Sequence, residues 1–312
     1  MELKEIWKGR IDGENLKFLR WHQVVKNAHS VVDFQHNFVF TGFCCDEGVR
    51  RNKGRIGAKN APNFIRNCCS NFPILDEDFK IYDNGNVYCE DSDLEKAQQE
   101  LAEKVKFVLI NNGKSLVLGG GHEVAFAHFS GIRKAFPTKK IGIINFDAHF
   151  DNRTIEKGIG ATSGTGFYQM AELEKIHSLT IGIQRNSNTN ALFDYADNKG
   201  MNYILADDIQ TKNIEKILHK IVDFISKVDV LYVTVCMDIF SSAFAPGVSS
   251  TAYNGIFPDA IFKEIFKKAI SSEKLLAFDI AEVNPDFDID NRTAKLAASL
   301  IFEVLNCCEL TK

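Results

Sequence analysis

The sequence predicts an α/β fold on a mainly parallel sheet, and three observations predict it. Short apolar runs such as residues 141–146 and 230–235 are almost unbroken, as in strands buried on both faces of a parallel sheet. Segments with an apolar stripe at helical spacing separate these runs. Ion-binding residue types enter the runs only at their carboxyl ends, where open α/β sheets keep their ligand crevices. No internal repeat and no Pro/Gly/Ser-rich linker divides the 312 residues, so a single domain over 1–312 is expected, and 45% hydrophobic content can fill its core.

Residues 37–45, apolar and aromatic, give the first strand. The charged segment 46–54, with Gly48 and Gly54, reads as a loop, and Pro62 opens a helix to about residue 71. Residues 91–112 form a long helix with Asp93 as its N-cap and Leu94, Ala97, Leu101, Val105 and Val108 as its apolar stripe. The strand at 115–118 runs into Gly119-Gly120-Gly121-His122-Glu123, with a helix after it. That glycine spacing fits neither G-x-x-x-x-G-K-[ST] nor G-x-G-x-x-G. Its expected role is to let backbone pass close to a neighbouring site and set His122 beside the acids of the next strand.

The stretch 141–151 is central: its first half is apolar and its second half turns abruptly polar. If the backbone stays extended, Asp147, His149 and Asp151 fall at i, i+2 and i+4 and point to one side. Two carboxylates and an imidazole then converge as a cation site; the alternative is a solvated strand end with a chance histidine. Residues 178–183 and 203–206 are further strands, and 213–228 a helix. Residues 230–238 repeat the central pattern, with Cys236 and Asp238 sharing a face. The loop 240–257, rich in Ser, Ala and Gly, is long enough to be functional. A helix from about Asp259, a strand at 275–280 ending at Glu282, and a helix from Thr293 complete the chain.

A net charge of -4, with Lys and Arg scattered, gives no field for nucleic acid or a membrane surface. No apolar run approaches the ~18 residues of a membrane span, and the N-terminus lacks a signal-peptide core, so a cytoplasmic protein is expected. Of eight Cys, six come as adjacent pairs and none as C-x-x-C, which fits reduced thiols. A small-molecule substrate and an assembly of identical chains are the expected partners.

His122, Asp147, His149, Asp151, Cys236 and Asp238 are too many ligands for one tetrahedral zinc and about right for two divalent ions with bridging carboxylates. Oxygen-rich ligation with two His favours manganese, though cobalt, iron or zinc suits the same ligands.

These residues carry a family resemblance. Gly119-Gly-Gly-His122-Glu123, Asp147-Ala-His-Phe-Asp151, the strand ending at Asp238 and Ala281-Glu-Val-Asn-Pro285 resemble the four signatures of the arginase/agmatinase (ureohydrolase) family. Segments 7–12, 20–23, 45–53, 163–169, 185–189 and 287–290 resemble the branch of that family acting on N-formimidoyl-L-glutamate, and together they span almost the whole chain. The resemblance implies a three-layer α/β/α, arginase-like fold, two Mn2+ ions, and hydrolysis of that substrate to glutamate and formamide in histidine degradation. It places His122, Asp147 and Asp151 on one ion, and His149 and Asp238 on the other, with Asp147 bridging. Glu282 matches the family acid that binds the cationic nitrogen group. Ser163 lies in the substrate-carboxylate loop, where arginase has a His and this chain has Phe167. Arg153 and Arg185 are natural partners for two substrate carboxylates; each also fits a structural ion pair.

The sequence departs from the family at Cys236, where the signature Asp-x-Asp has a bridging Asp. A thiolate keeps the charge but is softer, forms longer bonds and offers one donor atom. Three outcomes are open: a thiolate-bridged pair of a softer metal, a one-metal site, or an inactive relative. Beside the formimidoyl substrate stand two other readings, a guanidino substrate and a metal-poor binding or assembly protein.

Overall fold

The structure, a computed structural model, describes residues 3–76 and 78–307. Its strands are β1 (Lys26–Asn27), β2 (Phe38–Cys44), β3 (Tyr82–Tyr88), β4 (Lys114–Leu118), β5 (Ile141–Phe146), β6 (His177–Ile183), β7 (Asn202–Leu205), β8 (Val230–Cys236) and β9 (Leu275–Ala281). They form one sheet in the order β1-β3-β2-β4-β9-β8-β5-β6-β7, and every ladder is parallel.

Alternate strand residues feed two cores. Leu116 and Leu118 of β4, Ile144 and Phe146 of β5 and Val233 and Val235 of β8 pack with helices Ala61–Cys69, Ile214–Ser226, Ala260–Ile270 and Arg292–Cys307. Val117, Ile141, Ile143 and Tyr232 face the other way, toward helices Leu94–Ile110, Val124–Ala135, Gly166–Leu173 and Asn190–Lys199. A sheet covered on both sides needs apolar residues at every strand position, hence the unbroken runs in the sequence. The result is three layers, α/β/α, as expected. Asp93 and Asp259 cap their helices, accepting from Lys96 N at 2.9 Å and Phe262 N at 3.0 Å. No helix among the described residues is long and apolar enough to cross a membrane.

Four details differ from expectation. β3 escapes the apolar pattern because its sequence, Tyr-Asp-Asn-Gly-Asn-Val-Tyr, is polar; Asp83 is tolerated at 1% exposure by an ion pair with buried Arg66. Segment 46–54 is not all loop, since Glu47–Arg51 closes a helical turn. β5 stops at Phe146, so residues 147–151 are not extended strand, and Asp151 has φ +48°. Finally β4 and β5 are not neighbours: β9 and β8 lie between them. His122 therefore reaches the acids of β5 across two strand ends. The helices Gly166–Leu173 and Asn190–Lys199 are additions to the sequence assignment.

Candidate metal centre and substrate cavity

Beyond β5 the chain is held by hydrogen bonds rather than by a strand ladder. Asp147 N donates to Ile181 O at 3.0 Å, and Gln184 N donates to Ala148 O at 3.0 Å. Buried Asn188 ties the loop from its other side, accepting from Phe150 N (3.1 Å) and donating to Ala148 O (2.9 Å). His149 N donates to Asp147 Oδ1 at 2.7 Å. Convergence of the three side chains survives although its expected cause, period-two alternation, does not operate.

The glycine turn after β4 runs along β9: Gly119 N donates to Ile280 O at 2.7 Å and Glu282 N to Gly120 O at 2.8 Å. A Cβ on Gly120 would stand 1.6 Å from Cys45 O, so no side chain fits there. The turn delivers His122 with Nδ1 2.8 Å from Asp151 Oδ2 and 3.0 Å from Asp147 Oδ2. His122 Nε2 faces Thr234 Oγ1 at 3.0 Å. From the opposite side His149 Nδ1 lies 3.1 Å from Asp238 Oδ2.

Two ligand triads result, His122–Asp147–Cys236 and Asp147–His149–Asp238, each with donor atoms within 4.8 Å of one another. Asp147 belongs to both. Cys236, the departure from the family pattern, is 1% exposed and turns its sulfur into the first triad rather than away from it. Glu282 accepts from His122 N through Oε1 at 2.9 Å, while its Oε2 and Asp238 Oδ1 are buried without a hydrogen-bond partner. Its backbone sits at φ +67°, a strained conformation for a residue with a side chain.

The electrostatics show what the cluster lacks. Burial pushes Glu282 up, and Glu123 and Asp238 add to it. Burial followed by the nearby acids Asp147, Asp238 and Glu282 raises the Cys236 thiol well above its ordinary value. Burial alone would lower His122 and raise Asp147, but their hydrogen bonds outweigh it, so His122 is raised and Asp147 lowered. A buried group of acids and a thiol with orphaned oxygens fits divalent cations, because their charge removes the repulsion that forces protons onto these groups.

His122, His149, Asp151, Cys236 and Asp238 line an open cavity, and Asp147 is fully buried beside them. Arg153, Ser163, Asn52, Ser249 and Ser250 line its wall with Glu282. Ser163 Oγ accepts from Asn52 Nδ2 at 3.1 Å, and Arg153 N donates to Gly164 O at 3.0 Å. Arg55 fixes the 240–257 loop, its N donating to Ser249 Oγ at 3.0 Å. That loop thus borders the cavity, as its length suggested. Arg185 is exposed just past β6 and is not among the residues lining this cavity. Asn52, Asn188 and Thr234 were not singled out from sequence. For Thr234 the signal was available, since it stands at i−2 from Cys236 on the same strand face.

The chain matches the Arginase family model over residues 36–307, and it belongs to that family. Among its relatives, the formimidoylglutamase of Clostridium tetani (strain Massachusetts / E88) is 42% identical over 97% of this chain and 94% of its own length. That of Staphylococcus carnosus (strain TM300) is 39% identical over 97% and 98%. The crystal structure of formimidoylglutamase from Bacillus subtilis superposes with a TM-score of 0.86 at 23% identity, covering 96% of each chain. Trypanosoma cruzi formiminoglutamase with Mn2+2 gives 0.79 at 23% identity, covering 87% of this chain and 93% of that one. Both structures share the fold.

Proposed function

We propose that the chain, working as one domain, hydrolyses N-formimidoyl-L-glutamate to L-glutamate and formamide, a step of histidine degradation. The observation that carries this is the pair of buried triads sharing Asp147 at the base of a cavity whose wall holds Arg153. The near full-length identity to relatives named formimidoylglutamase supports the substrate.

Water adds to the formimidoyl carbon, the bond from that carbon to the glutamate nitrogen breaks, and the departing nitrogen takes up a proton. His122, Asp147, Asp151 and Cys236 would hold one cation, and Asp147, His149 and Asp238 a second; Mn2+ is the proposed metal. When bound, such a pair supplies Lewis-acid activation of water near neutral pH. The protein's own part is placement. Glu282 presents its unpartnered Oε2 to the amidinium, aligning the carbon and offsetting positive charge on the nitrogen side. Arg153 faces a substrate carboxylate, with Ser163 and Asn52 as neutral hydrogen-bonding groups beside it. Lys53 lines the adjoining recess with Asn52 and Arg153 and supplies a second cation for a substrate with two carboxylates.

The test is product analysis of manganese-treated protein: formamide and glutamate in equal amounts are expected, and urea from guanidino compounds without formamide would overturn the assignment. Cys236 favours a catalytically silent relative as second reading, and turnover by the wild type excludes it. For assembly we propose a homo-oligomer, supported by Tyr253 and Phe257, 92% and 56% exposed on the cavity loop; light scattering of a monomer would reject it.

A further inference from the structure

We infer that Arg51 is a positioning residue for the substrate: it ties the helical turn that runs into Asn52 and Lys53 to the loop that carries Ser163, and so fixes the wall facing the substrate carboxylates. The inference rests on the proposed function and concerns a side chain that no step of the hydrolysis uses.

All five N–H groups of the Arg51 guanidinium have acceptors within the chain. Nε donates to Glu47 Oε1 at 2.9 Å, inside its own turn Glu47–Arg51. Two bonds form a fork on Glu95 of helix Leu94–Ile110, Nη1 to Oε1 at 2.6 Å and Nη2 to Oε2 at 3.1 Å. The last two reach backbone, Nη2 to Ser92 O at 3.3 Å and Nη1 to Ala161 O at 3.2 Å. Ala161 stands two residues before Ser163, and Asn52 directly follows Arg51. The Ala161 bond and the bond from Asn52 Nδ2 to Ser163 Oγ, at 3.1 Å, therefore cross-link the same two segments. Arg51 lines the adjoining recess with Lys53 and Arg153, but with every donor engaged it belongs to the wall and not to the groups that receive an anion.

The end of the turn shows what is being held. Lys53 N donates to Arg50 O at 3.0 Å and Gly54 N to Val49 O at 2.9 Å, the two bonds that close a helix through a left-handed residue. Glycine is the usual residue at that place; here it is Lys53, at φ +60°. The glycine comes one residue later, where a Cβ would stand 2.3 Å from Ser249 Oγ. A side chain in a left-handed conformation persists only where its surroundings hold it, and the five bonds of Arg51, two residues earlier, supply that hold. The lysine so placed is the cation assigned above to the second substrate carboxylate.

The experiment compares manganese-loaded wild type and Arg51→Gln in steady-state kinetics on N-formimidoyl-L-glutamate and on N-formimidoylglycine, which lacks the side-chain carboxylate, and in amide hydrogen exchange. Arg51→Gln is expected to raise KM for N-formimidoyl-L-glutamate about tenfold with kcat within about twofold, and to leave N-formimidoylglycine almost unaffected. A general loosening of the fold would weaken both substrates alike. Exchange over residues 52–54 and 162–165 is expected to quicken. An unaltered preference between the two substrates in folded Arg51→Gln would overturn the inference, as would exchange at the wild-type rate in both segments. Should Arg51→Gln not fold, Glu95→Ala, at a side chain 51% exposed, removes the fork from outside, and the same changes in smaller measure are expected; their absence overturns the inference. Exchange needs no substrate, so a wild type without turnover would sink the proposed reaction while the tie made by Arg51 is still decided.

Discussion

Two groups of buried charge sit in the same sheet and are handled in opposite ways. At β3, Asp83 and Arg66 have no exposed side-chain surface. Every oxygen there is used: Asp83 Oδ2 accepts from Arg66 Nε and Trp7 Nε1, each at 2.7 Å, and Oδ1 accepts from an Arg66 NH2 at 3.0 Å and from Gly85 N at 2.8 Å. Arg66 also donates to Asn86 Oδ1 at 2.6 Å. At the ends of β5, β8 and β9 the acids outnumber the bases, and Asp238 Oδ1 and Glu282 Oε2 have no partner. The first group is complete within the chain; the second leaves acid oxygens without a partner in the chain. Between these two groups the difference lies in the count of satisfied atoms, not in charge alone.

The sharpest break in that comparison is Asp147→Asn, which removes the ligand common to both triads. Hydrolysis is expected to fall on the order of a thousandfold, since the charge stabilisation of a metal site amounts to several kcal/mol. Unfolding of the chelated protein should be little changed or slightly easier, because the hydrogen bonds from His122 and His149 that hold Asp147 below its ordinary value are lost while the repulsion it exerts on Asp151 is relieved. A chelated variant that unfolds far more easily than chelated wild type would put Asp147 in the structural class with Asp83.

Arg66→Ala should do the reverse. It strands Asp83 without its counter-charge and is expected to cost about 3–5 kcal/mol of stability in denaturant unfolding, with manganese affinity of the folded fraction unaltered. Loss of metal binding at full stability would contradict the contrast. Next in size is metal removal from the wild type. Chelation should lower unfolding stability by about 2.7 kcal/mol relative to protein held at a hundredfold excess of metal over its dissociation constant. In Asp147→Asn that difference should disappear; an equal drop in both proteins would mean that the chelator acts elsewhere.

Sequence made much of the site legible because its chemistry interrupts an apolar pattern: acids and imidazoles just past the ends of β4, β5, β8 and β9 have no reason to be there for packing alone. The same logic hid β3, where Asp83 interrupts a strand but finds Arg66 from a helix 17 residues earlier, a pairing that no local pattern displays. Alternation at residues 147–151 predicts that Asp147, His149 and Asp151 converge, and they do, but on a backbone that is not an extended strand. The spacing is kept, but Ile181 O, Asn188 and the left-handed Asp151 position the groups, and these are long-range or conformational facts. Strand order was equally hidden, so the distance His122 spans across β9 and β8 could not be read from the chain. Arg153 and Arg185 offer the same side-chain chemistry, and the sequence does not show that Arg153 lines the cavity while Arg185 is exposed past β6.

The smallest predicted effect bears on the one position where the centre departs from its family. Cys236 contributes a single soft donor to the triad with His122 and Asp147, where a carboxylate would contribute two hard ones. Cys236→Asp should therefore tighten manganese binding by about tenfold and reduce preference for zinc, as hard oxygen ligation favours the harder ion. Metal competition followed by elemental analysis reads both changes. The buried site has room for the exchange only if a carboxylate can turn both oxygens toward the cations, so a fall in affinity for manganese and zinc alike would show that the sulfur is there for its shape. An unchanged ratio and unchanged affinity would show that Cys236 is not a ligand, leaving the first cation to His122, Asp147 and Asp151.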